Sequence, residues 1–155
     1  MLILAPGREK SLRRRHVWIF SGAIAALEGN PAPGETVVVV DSERRFLARA
    51  AWSPEAQLAA RVWSFDPDEP IDAAFFRRRV RNAVEFRRFL RLDAPSGGCR
   101  LIHSEGDALP GLIADRYGEF IVVQFLSTGT ERFRSEIVDA LRSETGARGI
   151  YFLSD

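Results

Sequence analysis

A cluster of cationic side chains near the amino terminus is the group of residues in this sequence that best fits recognition chemistry. Its six members lie on one predicted helical turn and its exit, and they are Arg8, Lys10, Arg13, Arg14, Arg15 and His16. Cations grouped in this way are the electrostatic footprint of a site that binds nucleic-acid phosphates. A solvated helix face explains the same charges equally well, so the pattern alone leaves both interpretations open.

Two aromatic residues, Trp18 and Phe20, follow the cluster directly. Aromatic rings beside cations could form a platform on which an unpaired base stacks. In an alternating strand both rings point to the same face, and composition favours a buried face over a stacking platform. We therefore expect the two rings in the core.

The remaining polar residues form no convincing catalytic or metal site. Cys99 and His103 are four apart but lack a third and fourth zinc ligand. Glu105, Asp107 and Asp115 do not have the spacing of a calcium loop, and turn chemistry explains their segment. We predict no catalytic residue, no metal and no cofactor site in this chain.

A second group of arginines lies on a helix predicted from about residue 72 to 92. Arg77, Arg81 and Arg88 fall close to one face of that helix by its 3.6-residue period. They could follow a phosphate backbone, although a solvated helix with Glu85 among them is the commoner explanation. We favour the solvated helix.

The elements that must position these residues fall into two parts. Residues 1–65 are β-rich, with one short helix at 9–15 and five strands predicted at 2–5, 17–20, 36–41, 46–52 and 58–65. Residues 66–70 (DPDEP) break all periodicity and mark a boundary between domains 1–68 and 69–155. Five short strands and one small helix favour a compact mixed barrel.

The second part begins with the long helix. Asp72 is its predicted N-cap, and the helix stops before Pro95-Ser96. The side predicted to be buried consists of Phe76, Val80, Ala83, Phe86 and Leu90. Three strands, a helix with a capping box predicted to start at residue 128, and the beginning of another strand follow. We expect an α+β protein whose second domain is cut, not finished.

Length and composition limit the class of protein. The 155 residues carry a net charge of +1, but residues 1–20 hold five basic groups against one acid, and residues 101–155 hold nine acids against five arginines. This asymmetry favours a polyanion-facing surface on one part of the molecule. No apolar run is long enough to span a bilayer, and a single cysteine fits a reducing compartment. We expect a cytoplasmic protein without a membrane partner, and a homo-oligomer is possible.

Several blocks of the sequence resemble one bacterial family. Residues 7–12 (GREKSL) and 14–24 (RRHVWIFSGAI) resemble the opening of the large-subunit (23S) rRNA 5-methylcytosine methyltransferase I family, and residues 105–118 (EGDALPGLIADRYG) resemble a later block. Shorter matches lie at 47–50, 60–67 and 124–127. One departure is Val17, where the family usually has proline.

The resemblance implies a fold, a partner and an activity. It implies an amino-terminal PUA-like pseudo-barrel that binds ribosomal RNA, followed by a truncated small α+β domain. Family members continue into a methyltransferase domain that uses S-adenosylmethionine and a nucleophilic cysteine to methylate cytosine C5. It adds Trp18, Ser21 and Gly22 to the six cluster residues as candidate RNA contacts.

Two other functions remain open. A freestanding PUA-type RNA-binding adaptor without catalytic activity would show the same amino-terminal residues. A structural or protein-interaction module would use its arginines only for solubility. We favour the rRNA-binding portion of a methyltransferase, which by itself is inactive.

Overall fold

The computed structural model describes residues 1–92, 94 and 97–153, and these divide into two compact units, Met1–Glu69 and Pro70–Asp155. The predicted helix stop at Pro95-Ser96 lies outside the described residues. The mixed α+β class predicted from the sequence is confirmed, with a curled half-barrel in the first unit.

The first unit is a curled six-stranded sheet with the order β2-β6-β5-β4-β1-β3. Its strands are β1 (Leu2–Leu4), β2 (Trp18–Phe20), β3 (Ile24–Leu27), β4 (Thr36–Val40), β5 (Phe46–Trp52) and β6 (Leu58–Ser64). Only the β1–β4 pair is parallel, and each of the four antiparallel pairs contains a register shift. Such irregularities bend strands and increase their twist, which lets the sheet curl around its core. The third strand was not predicted.

The core of this unit is made of aliphatic residues and alanines. Its fully buried members include Leu2, Leu4, Val39, Ala48 and Ala60. Small side chains at the centre of β5 and β6 allow the curled sheet to close upon itself at normal packing density. The core therefore fixes the strands whose outer residues carry the candidate site.

The single helix of this unit, α1 (Lys10–Arg13), is only four residues long. Leu12 is buried and anchors it to the core. Arg15 ends the turn in the left-handed region with φ 65°, and its N–H donates to the Leu12 carbonyl at 2.8 Å. A residue in that conformation reverses the chain direction after a helix. The cationic segment is thus held rigidly by one buried leucine and one backbone reversal.

The second unit is a four-stranded sheet with helices. The sheet has the order β10-β9-β8-β7, and its strands are β7 (Gly98–His103), β8 (Leu112–Tyr117), β9 (Phe120–Phe125) and β10 (Gly149–Phe152). The helices are α2 (Ala73–Phe89), α3 (Thr128–Arg132) and α4 (Arg134–Thr145). No described helix is long and apolar enough to cross a membrane.

The structure confirms the predicted cap of α2 and corrects the prediction of its buried face. Asp72 caps α2 as predicted, accepting the Phe75 N–H at 2.9 Å. Phe86 and Leu90 were expected to be buried but are exposed. The buried face of α2 instead includes Phe75 and Val84 and continues through Arg87, whose side chain is only 11% exposed.

The cap of the next helix lies one residue before the predicted position. Ser127, not Thr128, is the N-cap, and its hydroxyl accepts the Thr130 N–H at 3.2 Å. The helix after it is broken at Phe133 into α3 and α4. It ends, as predicted, at Gly146 in the left-handed region.

Candidate nucleic-acid interface

The cationic cluster divides into two groups on either side of α1. The first groove, with a volume of about 510 Å³, lies between α1, β2 and the 3-10 turn Ser21–Ala23. Its lining consists of Gly7, Arg8, Lys10, Ser11, Leu12, Arg14, Trp18, Ile19, Phe20, Gly22 and Ala23. The second groove, of about 400 Å³, is lined by Leu12, Arg13, Arg15, Asp41, Arg45, Phe46, Leu47 and Phe65. The structure therefore does not bring all the predicted contacts together.

The first groove carries three cations. Arg8, Lys10 and Arg14 are exposed, and within the described ranges they have no carboxylate partner. Their charges are therefore available to an anion without a competing ion pair. A groove lined by such unpaired cations is suited to binding phosphates.

The aromatic residues of the first groove are exposed, and the expectation that they are buried was wrong. Trp18 is 39% and Phe20 46% exposed, whereas Ile19 between them is 1% exposed. The alternation was predicted correctly, but Ile19 is the residue that faces the core. The Trp18 and Phe20 rings lie edge to face with centroids 6.4 Å apart.

His16, Ser21 and Gly22 lie beside these rings. The His16 and Trp18 rings lie edge to face with centroids 5.7 Å apart, and His16 Nδ1 accepts the backbone N–H of Trp18 at 3.3 Å. Ser21 donates its N–H to the Gln57 carbonyl at 2.9 Å. An added Cβ at Gly22 would meet no atom within 4 Å, so close packing does not require glycine there.

The second groove is organised around Asp41, whose side chain is buried. Its carboxylate accepts from Arg45 Nε at 2.7 Å and from Arg13 at 3.2 Å, and also from the N–H groups of Glu43 and Arg45 at 3.0 and 2.9 Å. Burial acts to raise the pKa of Asp41. The hydrogen bonds and the charge of Arg45 outweigh it and lower that pKa overall. Asp41 is therefore an ionised anchor for two arginine side chains.

Arg15 has a different environment from Arg13 and Arg45. Its guanidinium lies over the Phe65 ring, 4.8 Å from the centroid, and has no carboxylate partner within the part of the chain that the structure describes. Sequence reasoning missed Asp41, Arg45 and Phe65. They lie directly after β4, directly before β5 and directly after β6, and no local spacing relates them to the helix.

The arginines predicted along α2 form bonds within the second unit. Arg77 and Arg81 both bind the carboxylate of Glu144 at 3.1 Å, and Arg88 donates to its backbone carbonyl at 3.1 Å. The Glu144 side chain is only 13% exposed. These contacts give the three arginines of α2 a structural role that the solvated-helix interpretation did not include.

Neither unit shows a metal site among its described residues, and Cys99 is half-buried. The Arg100 guanidinium lies 3.5 Å from His103 Nδ1. Arg100 in turn forms an ion pair with Asp115 at 2.8 Å. The acidic residues of this segment thus bind arginines of the same unit.

Comparison with known proteins finds a family match for the first unit. Residues 2–65, which form the half-barrel, match the family described as PUA-like domain. This range contains both grooves and all nine candidate contacts.

The chain is also similar over nearly its whole length to named proteins. It is 51% identical over 154 residues to Ribosomal RNA large subunit methyltransferase I of Cronobacter sakazakii, 52% identical to that of Erwinia tasmaniensis and 49% identical to that of Escherichia coli. Each match covers 99% of this chain but only 39% of the relative.

Two solved structures share the fold. A putative SAM-dependent methyltransferase from Streptococcus mutans superposes with a TM-score of 0.83 at 21% identity, covering 97% of this chain and 39% of the other. A putative methyltransferase complexed with SAH gives a TM-score of 0.84 at the same identity. At this level of identity the comparison shows the fold alone.

Proposed function

We propose that this chain is the rRNA-binding portion of a SAM-dependent methyltransferase that modifies a cytosine C5 of large-subunit (23S) rRNA. The observation that carries the RNA-binding part is the first groove, where three unpaired cations lie beside two exposed aromatic rings. The groove lies inside a PUA-like domain, and the relatives' names supply the rRNA substrate.

The proposed contacts are of two kinds, ionic contacts with phosphates and stacking contacts with a base. Arg8, Lys10 and Arg14 bind backbone phosphates, and Trp18 stacks on an unpaired base with Phe20 at its edge. His16 supports the Trp18 ring through the edge contact, and its hydrogen bond to the backbone N–H of Trp18 fixes the position of the imidazole. Single-stranded RNA fits this arrangement better than a duplex, because a base must leave its helix to stack on a side chain.

The methyl-transfer step belongs, in this proposal, to a part of the relatives that residues 1–155 do not match. Residues 125–130, the segment of the sequence nearest to a glycine-rich cofactor turn, form a helix start capped by Ser127. A structural neighbour is complexed with SAH, which supports S-adenosylmethionine as the methyl donor of the longer proteins. Saturable binding of S-adenosylmethionine to this chain in calorimetry would contradict that assignment.

Salt-dependent RNA binding tests the site. For a single strand the logarithm of affinity falls with the logarithm of salt by about 0.7 per neutralised phosphate. The double variant Lys10→Gln/Arg14→Gln is therefore expected to lower affinity for a uridine-rich oligonucleotide and to reduce that slope by about 1.4. The control is Arg44→Gln, since Arg44 is exposed, lies outside both grooves and is paired with Glu28 at 2.5 Å.

Trp18→Ala tests stacking separately from charge. Loss of one stacked base costs about 1–3 kcal/mol, so affinity is expected to fall by roughly 5- to 150-fold with little change in slope. Phe89→Ala on α2 is the matched control, because Phe89 is an exposed aromatic residue of the second unit. The proposed site is wrong if both groove variants bind RNA like the unmodified chain.

A further inference from the structure

The second groove shares a wall with the first. Leu12 lines both, and the neighbouring residues Arg13 and Arg14 line opposite grooves. Successive residues of a helix are about 100° apart, so adjacent arginines on a short helix point to different sides. A ligand that leaves the first groove over α1 therefore enters the second.

The second groove keeps a net positive charge. Asp41 neutralises one of its three arginines, and Glu43 at the rim contacts Arg45 at 3.0 Å. Arg15 has no such partner within the described part of the chain. At least one full cation is thus available to an anionic ligand.

The polar groups of this groove are held in place before any ligand arrives. The buried Asp41 carboxylate accepts from Arg45 Nε and from the main-chain N–H groups of Glu43 and Arg45, and it also accepts from Arg13. Holding a guanidinium reduces the side-chain entropy that is lost on binding. Asp41 is a positioning residue for the cations of the groove.

Arg15 provides a surface for a base as well as a charge. Its guanidinium lies over Phe65 at 4.8 Å, and planar guanidinium groups stack on bases as aromatic rings do. The residue keeps a left-handed backbone with φ 65°, a conformation that favours glycine. Arg15 thus presents a planar cation over an aromatic ring, at a strained backbone position. This arrangement suits a nucleotide better than a peptide carboxylate.

We infer that the second groove is a second subsite for the same RNA strand, which crosses α1 from the first groove. This inference rests on the proposed RNA-binding function. In it, Arg15 stacks on a nucleotide base or binds its phosphate, and Arg13 and Arg45 line the path of the backbone. The chain would then bind a longer single strand than one groove can hold.

Oligonucleotide length separates the two subsites. A single strand of about four nucleotides occupies one groove, whereas about twelve can reach both. Arg15→Gln is expected to lower affinity for the longer strand by roughly five- to tenfold and its salt slope by about 0.7, and to leave the shorter strand unaffected. Arg44→Gln is a close control, because Arg44 is also an exposed arginine with a left-handed φ of 64° in this unit.

The outcomes distinguish this inference from the proposed function. If Trp18→Ala weakens both strands while Arg15→Gln changes neither, the second subsite is wrong and the first groove stands. Equal losses for Arg15→Gln and Arg44→Gln would also overturn it, since a general charge effect would then explain the result. If the unmodified chain binds neither strand, both assignments fail. Tighter binding of an acidic peptide than of the longer RNA, abolished by Arg15→Gln, would assign the groove to a protein partner and overturn the inference.

Discussion

An ion pair between α2 and the 3-10 turn Ser104–Asp107 is almost removed from solvent. The Arg87 side chain is 11% and the Asp107 side chain 8% exposed. The guanidinium donates to both carboxylate oxygens, one at 2.7 Å, and its Nε donates to the Arg100 carbonyl at 3.0 Å. Asp107 also accepts the His103 N–H at 2.6 Å. The pair therefore ties α2 to β7 and the turn that follows it.

Replacing Asp107 with alanine leaves the Arg87 guanidinium without its carboxylate. This guanidinium remains protonated and has little access to water. Breaking a buried pair from one side costs about 3–5 kcal/mol, because the remaining charge is buried without compensation. The stability of a domain is about 5–15 kcal/mol in total. With a urea dependence of roughly 1–2 kcal/mol per molar for a unit of this size, the midpoint is expected to fall by about 1.5 M or more.

The two units can be followed separately in one titration. All three tryptophans lie in the first unit, whereas the long helices α2 and α4 lie in the second. Circular dichroism at the helix band therefore reports mainly the second unit, and tryptophan fluorescence the first. We expect Asp107→Ala to shift the dichroism transition and leave the fluorescence transition in place.

Asp115→Ala is the matched control for this prediction. Asp115 pairs with Arg100 in the same unit, but the side chains are 22% and 48% exposed, and exposed pairs contribute at most about 1 kcal/mol. The reasoning about burial is refuted if the two alanine variants lose equal stability, or if Asp107→Ala loses less than about 1 kcal/mol. The apolar double variant Arg87→Met/Asp107→Leu should recover most of the loss, because it removes both charges together.

Two further predictions concern stability. Because the pKa of Asp41 is lowered, its contribution to the free energy of unfolding is present above the ordinary pKa of aspartate and is lost as pH falls through the folded value. Asp41→Asn should therefore reduce the loss of stability at acid pH, followed by tryptophan fluorescence. An unchanged loss would contradict this. Gly111→Ala places a Cβ 2.5 Å from the Ser127 hydroxyl at φ +86°, so we expect a loss of about 2 kcal/mol or more by dichroism. Gly146→Ala, at φ +64° with no atom within 4 Å, is its control and should lose only about 1 kcal/mol; equal losses would show that backbone strain, not the clash, decides.

The sequence was most informative where a single residue determines local geometry. The cap at Asp72 and the helix end at Gly146 were predicted correctly, because both depend on interactions within one turn. Burial around Trp18 could not be predicted in the same way. Period-two alternation separates the faces of a strand, but in a strand of three residues it does not say which face meets the core.

The candidate site shows the same limit over longer distances. A linear run of cations predicted one patch, although the helical period alone already places Arg13 and Arg14 on different sides. The partners that line the second groove, Asp41, Arg45 and Phe65, lie at the ends of strands distant from α1 in sequence. Only the register of β4, β5 and β6 brings them to α1, and no spacing within the sequence encodes that register.

The distribution of arginine partners explains why the candidate interface lies in the first unit despite the many arginines of α2. Arg77, Arg81 and Arg88 all bind Glu144, and hydrogen bonds from Arg77 and Arg81 lower the pKa of that carboxyl so that it stays charged. A phosphate approaching Arg77 or Arg81 would have to displace a carboxylate that is already in contact with both. Arg8 and Arg14 present no such competition among the described residues. Pairing within the protein, more than the number of arginines, therefore determines where a polyanion can bind.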